Sequence, residues 1–206
     1  MPARRTTPLS RTLGLVLERH ELPQTLFTDI ADQVEAEILR RQPATEADLD
    51  ATCERDLGAL LELIARCHGL SDADVLRVAR RLGGFCARVY LIRNSGVLAR
   101  RGRVLFPSQQ LHALGLSNAA LGRREHRDRL PELLALAADR ARTNLAVSDT
   151  DQGLPVCIRI WVRILVSLLD ELKGVGFAVA DRRIGLTPLR KLWLAWQEWQ
   201  ESRRML

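Results

Sequence analysis

Between Tyr90 and Pro107 the chain reads YLIRNSGVLARRGRVLFP, with Arg93, Arg100, Arg101 and Arg103 gathered about one turn and no acid among them. Guanidinium groups present fixed forks of N–H donors that match phosphate oxygens, so such a cluster can grip a diphosphate directly, without a metal. The same arginines also suit a hydrated helix end, where cations offset the negative end of the helix dipole. Arg123, Arg124, His126, Arg127 and Arg129 form a second basic run. No aromatic residue is interleaved there for base stacking, which favours a solvated loop over a nucleic-acid surface. Trp193, Trp196 and Trp199, followed by Arg203 and Arg204, have helical spacing. At least two of the three are expected in the core, with a membrane-interface or partner-binding helix as the alternative.

Other chemistries find little footing. His20, His68, His112 and His126 lie far apart in sequence, and neither GxSxG nor GxxxxGK[ST] occurs. The four cysteines, Cys53, Cys67, Cys86 and Cys157, lack CxxC spacing and sit in apolar helical patterns, so they read as reduced core residues of a cytosolic protein. The apolar run Leu13 to Leu17 is too short for a signal-peptide core. No run approaches the roughly 18 uncharged apolar residues that cross a bilayer, and Arg159 and Arg163 interrupt the longest apolar segment. The expected location is the cytoplasm, at most peripheral to the inner membrane surface. Lys and Arg outnumber Asp and Glu by 31 to 25, which accommodates an anionic partner and equally serves solubility.

The elements that must carry these residues are helices. The chain of 206 residues, 47% hydrophobic, suits a single domain with a continuous core. Apolar residues recur at three and four positions nearly throughout, and no stretch alternates with period two, so the class is all-α. Thr45 with Asp48 makes a capping box for a helix reaching about Cys67, and Ser71 with Asp74 starts the helix that carries the arginine stretch. The short link HGLS predicts that these two pack antiparallel. Further helices are predicted over Leu26–Arg41, Leu130–Val147, Val156–Lys173 and Pro188–Arg203, with short ones beginning at Ser108 and Ser117.

The order of these segments resembles the squalene/phytoene synthase family, whose members condense two allylic prenyl diphosphates head to head in an all-α isoprenoid-synthase fold. ARRGRVLFP, Ala99 to Pro107, is similar to the family's A-x-R-G-R-x-Y-L-P, with Arg101, Gly102, Arg103 and Pro107 in place. EADLDATCERDLGAL resembles F-D-E-L-Y-x-Y-C-x-x-V-A-G-x-V at Leu49, Cys53 and Gly58. LLDELKGVGF...DRRIGLTPLRKL resembles I-L-D-x-I-E-x-x-x-Y...R-x-x-V-S-x-x-K at Asp170, Arg183, Thr187 and Lys191. The resemblance covers about residues 20 to 195, leaving 1–20 poorly matched.

In that family Mg²⁺ ions neutralise the leaving diphosphate, held by D-x-x-x-D motifs whose carboxylates share one helix face. The resemblance places the second such motif over YLIRNSGVLA, where its aspartates become Asn94 and Leu98 and an intermediate acidic position becomes Val97. The first motif has no counterpart in Met1 to Glu21, so the chain is expected to be an isoprenoid-synthase-like bundle without the N-terminal helices. Leu57, Leu60 and Leu61 replace small residues and are expected to narrow or fill the prenyl cavity. The resemblance, with these departures, implies a protein that has lost Mg-dependent prenyl transfer and acts as a binding, assembly or regulatory partner in isoprenoid or respiratory-chain biogenesis. No catalytic residue, metal or cofactor is expected on this reading. Arg93, Arg101 and Arg103 are the candidate contacts for an isoprenoid diphosphate or anionic lipid, and a homo- or hetero-oligomer, including one with a full-length synthase, is the expected assembly. The alternative is an active prenyltransferase of terpenoid, carotenoid or hopanoid biosynthesis, using Mg²⁺ and farnesyl or geranylgeranyl diphosphate.

Overall fold

The computed structural model of the chain describes residues 7–101, 103, 106–117, 129–146, 153–180 and 182–204, without the side chains of Leu9 and Ala146. The predicted short helix at Ser117, most of the second basic run and Leu105 therefore lie outside the described residues. All regular structure among the described residues is helical.

Helix α1, Pro8–Arg19, was not anticipated from the sequence; Thr7 caps it and a proline opens its first turn. Helix α2, Gln24–Ile38, ends short of the predicted Arg41. Helix α3, Glu46–Cys53, starts at the expected capping box, with the Thr45 amide donating to Asp48 at 2.9 Å and the Asp48 amide donating to the Thr45 hydroxyl at 3.1 Å. It runs through a π-helical turn, Glu54–Gly58, into α4, Ala59–Cys67.

Helix α5, Ala73–Arg100, is the spine. Its cap is Asp72 and not Ser71, because the Asp72 carboxylate reaches the amides of Asp74 and Val75 at 2.8 and 3.0 Å. The π turn and α5 meet almost backbone to backbone: a Cβ on Gly83 would stand 2.2 Å from the Leu57 carbonyl oxygen. Farther from that crossing, Arg80 reaches Glu62, which sets α4 and α5 antiparallel as predicted. The short α6, Ser108–Ala113, follows. Then α7, Leu130–Ala146, and α8, Val156–Gly174, pack on α5 through Leu133, Leu134, Ala137, Ile158, Val162 and Leu165. Helix α9, Pro188–Arg204, lies on α8.

Two core assignments are corrected. Cys53 and Cys86 are buried, and burial pushes the Cys53 thiol up to about 12, but Cys67 and Cys157 are exposed. Trp193, Trp196 and Trp199 are all exposed, because the side of α9 that faces α8 is occupied by Leu194 and Glu198. Periodicity identified the helix correctly but did not show which of its faces turns inward.

Candidate functional site

A cleft of about 910 Å³ opens between α2, α3, the π turn and α5. Helix α5 lines it with Ala87, Tyr90, Leu91, Asn94 and Leu98, and α3 with Asp48, Leu49, Thr52 and Cys53. Opposite α5, α2 and the residues after it present Asp32, Glu35, Glu37, Arg40 and Arg41, while the π turn adds Arg55 and Asp56. The cleft thus combines an apolar strip along α5 with a charged wall of both signs.

The basic turn after α5 is stitched to the α2–α3 connection. The Arg103 amide donates to the Leu98 carbonyl at 2.8 Å and its guanidinium to the Glu37 carbonyl at 2.7 Å. Gln42 Nε2 donates to the Phe106 carbonyl at 2.8 Å, and the Ser108 amide to the Pro43 carbonyl at 3.0 Å. These bonds hold Arg103 in the cleft beside Leu98.

The sequence-predicted residues therefore part company. Asn94, Leu98 and Arg103 come together in the cleft, whereas Val97 is not part of its lining. Arg93 points elsewhere, its Nε donating to the Ile184 carbonyl at 3.0 Å. Arg100 donates to the Ala180 carbonyl, and Arg101, the residue that caps α5, is exposed and not part of the cleft lining. Leu57, Leu60 and Leu61, expected to narrow or fill the cavity, do not line this cleft; Leu61 is buried in the core and Leu57 packs against it, as side chains that take up interior space do. The small residue beside them, Gly58, serves the close crossing with α5: a Cβ there would lie 2.7 Å from the Arg80 carbonyl.

Arg40, Arg41 and Arg55 were missed. The run LRRQP carried the signal, two arginines at a helix end before a proline, but only the fold turns them towards Asn94 and Arg103. Among the acids, Asp48 is committed to its helix: the Thr45 amide holds its carboxyl below the usual range. Asp56 is pushed the other way, upward, by burial and then by the nearby Glu37 carboxylate.

Mg²⁺ demands hard oxygen ligands and usually takes one or two carboxylates together with substrate phosphates. At the positions implied by the resemblance, α5 offers one neutral amide oxygen, from Asn94, and the alkyl group of Leu98. Among the described residues no three His, Cys, Asp or Glu side chains converge as a metal-binding group. This face of α5 does not fit a magnesium cluster.

Known proteins share this architecture. A solved dehydrosqualene synthase, in complex with ligand, superposes with a TM-score of 0.78, covering 97% of this chain and 72% of that one at 16% identity. Presqualene diphosphate synthase of Rhodopseudomonas palustris is 28% identical over 187 residues, which is 88% of this chain and 65% of that protein. The enzyme of that name from Sinorhizobium fredii is 26% identical over 171 residues, 80% of this chain and 61% of the relative. The chain therefore spans less than two thirds of the length of these curated relatives. The squalene/phytoene synthase family model matches residues 2–190, nearly the whole sequence, and with the shared all-α architecture it establishes that this chain belongs to the squalene/phytoene synthase family.

Proposed function

We propose that the chain binds an amphiphile of the prenyl diphosphate class in the α2–α3–α5 cleft, and acts as a binding or assembly partner without driving metal-assisted prenyl transfer from α5. The observation that carries this reading is the placement of Asn94 and Leu98 in an open cleft to which α5 contributes no carboxylate. Arg40, Arg41, Arg55 and Arg103 supply guanidinium donors for an anionic head, and the half-buried Tyr90, Leu91 and Leu98 supply apolar surface for a tail. Association with another chain belongs to the same reading, supported by the exposed Leu15 on α1 and the exposed Val34 and Ile38 on α2.

A second reading is prenyl transfer of the kind named for the presqualene diphosphate synthases. Their similarity over most of this chain favours it, as do Asp32 and Asp56 in the opposite wall of the cleft. One experiment separates the two. Farnesyl or geranylgeranyl diphosphate is titrated calorimetrically into the protein with Mg²⁺ and with EDTA, and diphosphate release is followed in parallel. The first reading expects equal affinity in both buffers, a roughly tenfold loss in Arg103→Ala from removal of a charge-assisted hydrogen bond, and no diphosphate release. Release that requires Mg²⁺ and disappears in Asn94→Ala would establish the second reading, and no binding in either buffer would remove the first.

A further inference from the structure

Helix α9 carries most of its large apolar side chains on the face turned away from the protein. Leu189 is 79% exposed and Trp196 55%, and Leu192, Trp193 and Trp199 are exposed with them. At about 100° per residue these five fall within a stripe of roughly 120°, opposite Leu194 and Glu198, which are buried. The inward side is held by charge. Glu198 accepts from Arg159 Nε at 2.7 Å and from Arg163 at 2.8 Å, and Glu201 accepts from Arg163 at 2.6 Å. The helix is fastened by ion pairs where most surface helices use hydrocarbon, leaving its tryptophan row free.

The charges around that row are one-sided. Both acids of α9, Glu198 and Glu201, are engaged by α8. Exposed Arg182 and Arg183 precede the helix, and Arg203 and Arg204 close it on the side of the row. The Arg203 guanidinium lies over the Trp199 ring, 4.8 Å from its centroid. A tryptophan row bracketed by cations is the composition of a helix that lies in a lipid interface, with rings at the headgroup level and cations on anionic heads. A second copy of this chain fits less well, because a two-fold contact would set cations of one copy against cations of the other, with the acids already used inward. No described helix is long and apolar enough to cross a membrane, so the contact is one of lying on the surface.

We propose that the outward face of α9, centred on Trp193, Trp196 and Trp199, docks the protein on an anionic lipid bilayer, whatever the cleft holds. The test uses the full chain with vesicles of phosphatidylcholine alone and vesicles containing phosphatidylglycerol, reading flotation and tryptophan emission. The expected result is flotation with the anionic vesicles, a blue shift of emission, and weakening as salt screens the cations. W193Q/W196Q is expected to lower binding at least about tenfold, through loss of buried ring area, with an unchanged far-ultraviolet circular dichroism spectrum because both side chains are exposed. Failure of the wild type to float, or equal flotation of the double variant, overturns the proposal. A wild-type dimer in sedimentation that becomes monomeric in the double variant reassigns the face to a second copy and overturns it as well.

Discussion

Arg40 shows how much a single residue can carry that its letter does not reveal. It follows the last turn of α2 with φ at +53°, a conformation that glycine adopts freely and a side chain does not. The surrounding hydrogen bonds form a regular helix stop: the Arg40 amide donates to Glu37 at 3.2 Å and the Arg41 amide to Ala36 at 2.9 Å. Gly69 and Gly115 fill the equivalent place after α4 and α6, so an arginine here keeps strain at a position that lines the cleft. Arg40→Gly is expected to raise stability by about 1 kcal/mol in urea denaturation while weakening prenyl diphosphate binding. The sequence advertised Arg93, Arg101 and Arg103 as the site, yet Arg93 is turned to the Ile184 carbonyl, Arg101 is not part of the lining, and Arg103 alone of the trio enters the cleft. Side-chain direction depends on carbonyls far along the chain, such as Ile184 and Glu37, which no local pattern exposes.

Among elements, those whose boundaries rest on local chemistry were legible. The Thr45 capping box is complete, and α7 and α8 start and stop within a residue or so of their periodic pattern. The π turn at Glu54–Gly58 was not legible, since it answers to the crossing with α5 and not to propensity. Gly96 belongs to the same class. It stands on α5 between Asn94 and Leu98, and a Cβ there would be 2.0 Å from the Val179 carbonyl oxygen. Backbone on that side cannot give way as a flexible side chain could. Gly96→Ala is therefore expected to cost about 3 kcal/mol by overpacking, measured by denaturation, and to disturb the cleft end of α5 together with the fold.

For the whole molecule, the cleft depends on a polar junction joining three helices. Arg88 on α5, its side chain 1% exposed, donates to Glu46 at 2.9 Å and to Asp50 at 2.7 Å on α3. Asp50 also accepts from Arg140 at 3.1 Å and from Asn144 at 2.9 Å on α7. Asp50→Ala would leave a buried guanidinium short of its main partner, and the expected loss is about 3 kcal/mol, read from urea denaturation. A second change, Asp50→Asn, should recover part of that loss because the amide oxygen still accepts.

Helical class, most helix limits and the absence of carboxylates from the α5 cleft face could be read directly from residue order. They depend on short-range spacing and on identity, and neither requires a distant partner. Fold packing was needed to show that Asn94, Leu98, Arg40 and Arg103 share one cleft, that Leu61 belongs to the core, and that the tryptophans of α9 point outward. Each of those outcomes turns on contacts across long stretches of chain, with Glu198 against Arg159 as the clearest case. A buried ion pair reverses the inward face of a helix whose hydrophobic pattern, taken alone, would have sent Trp193, Trp196 and Trp199 to the core.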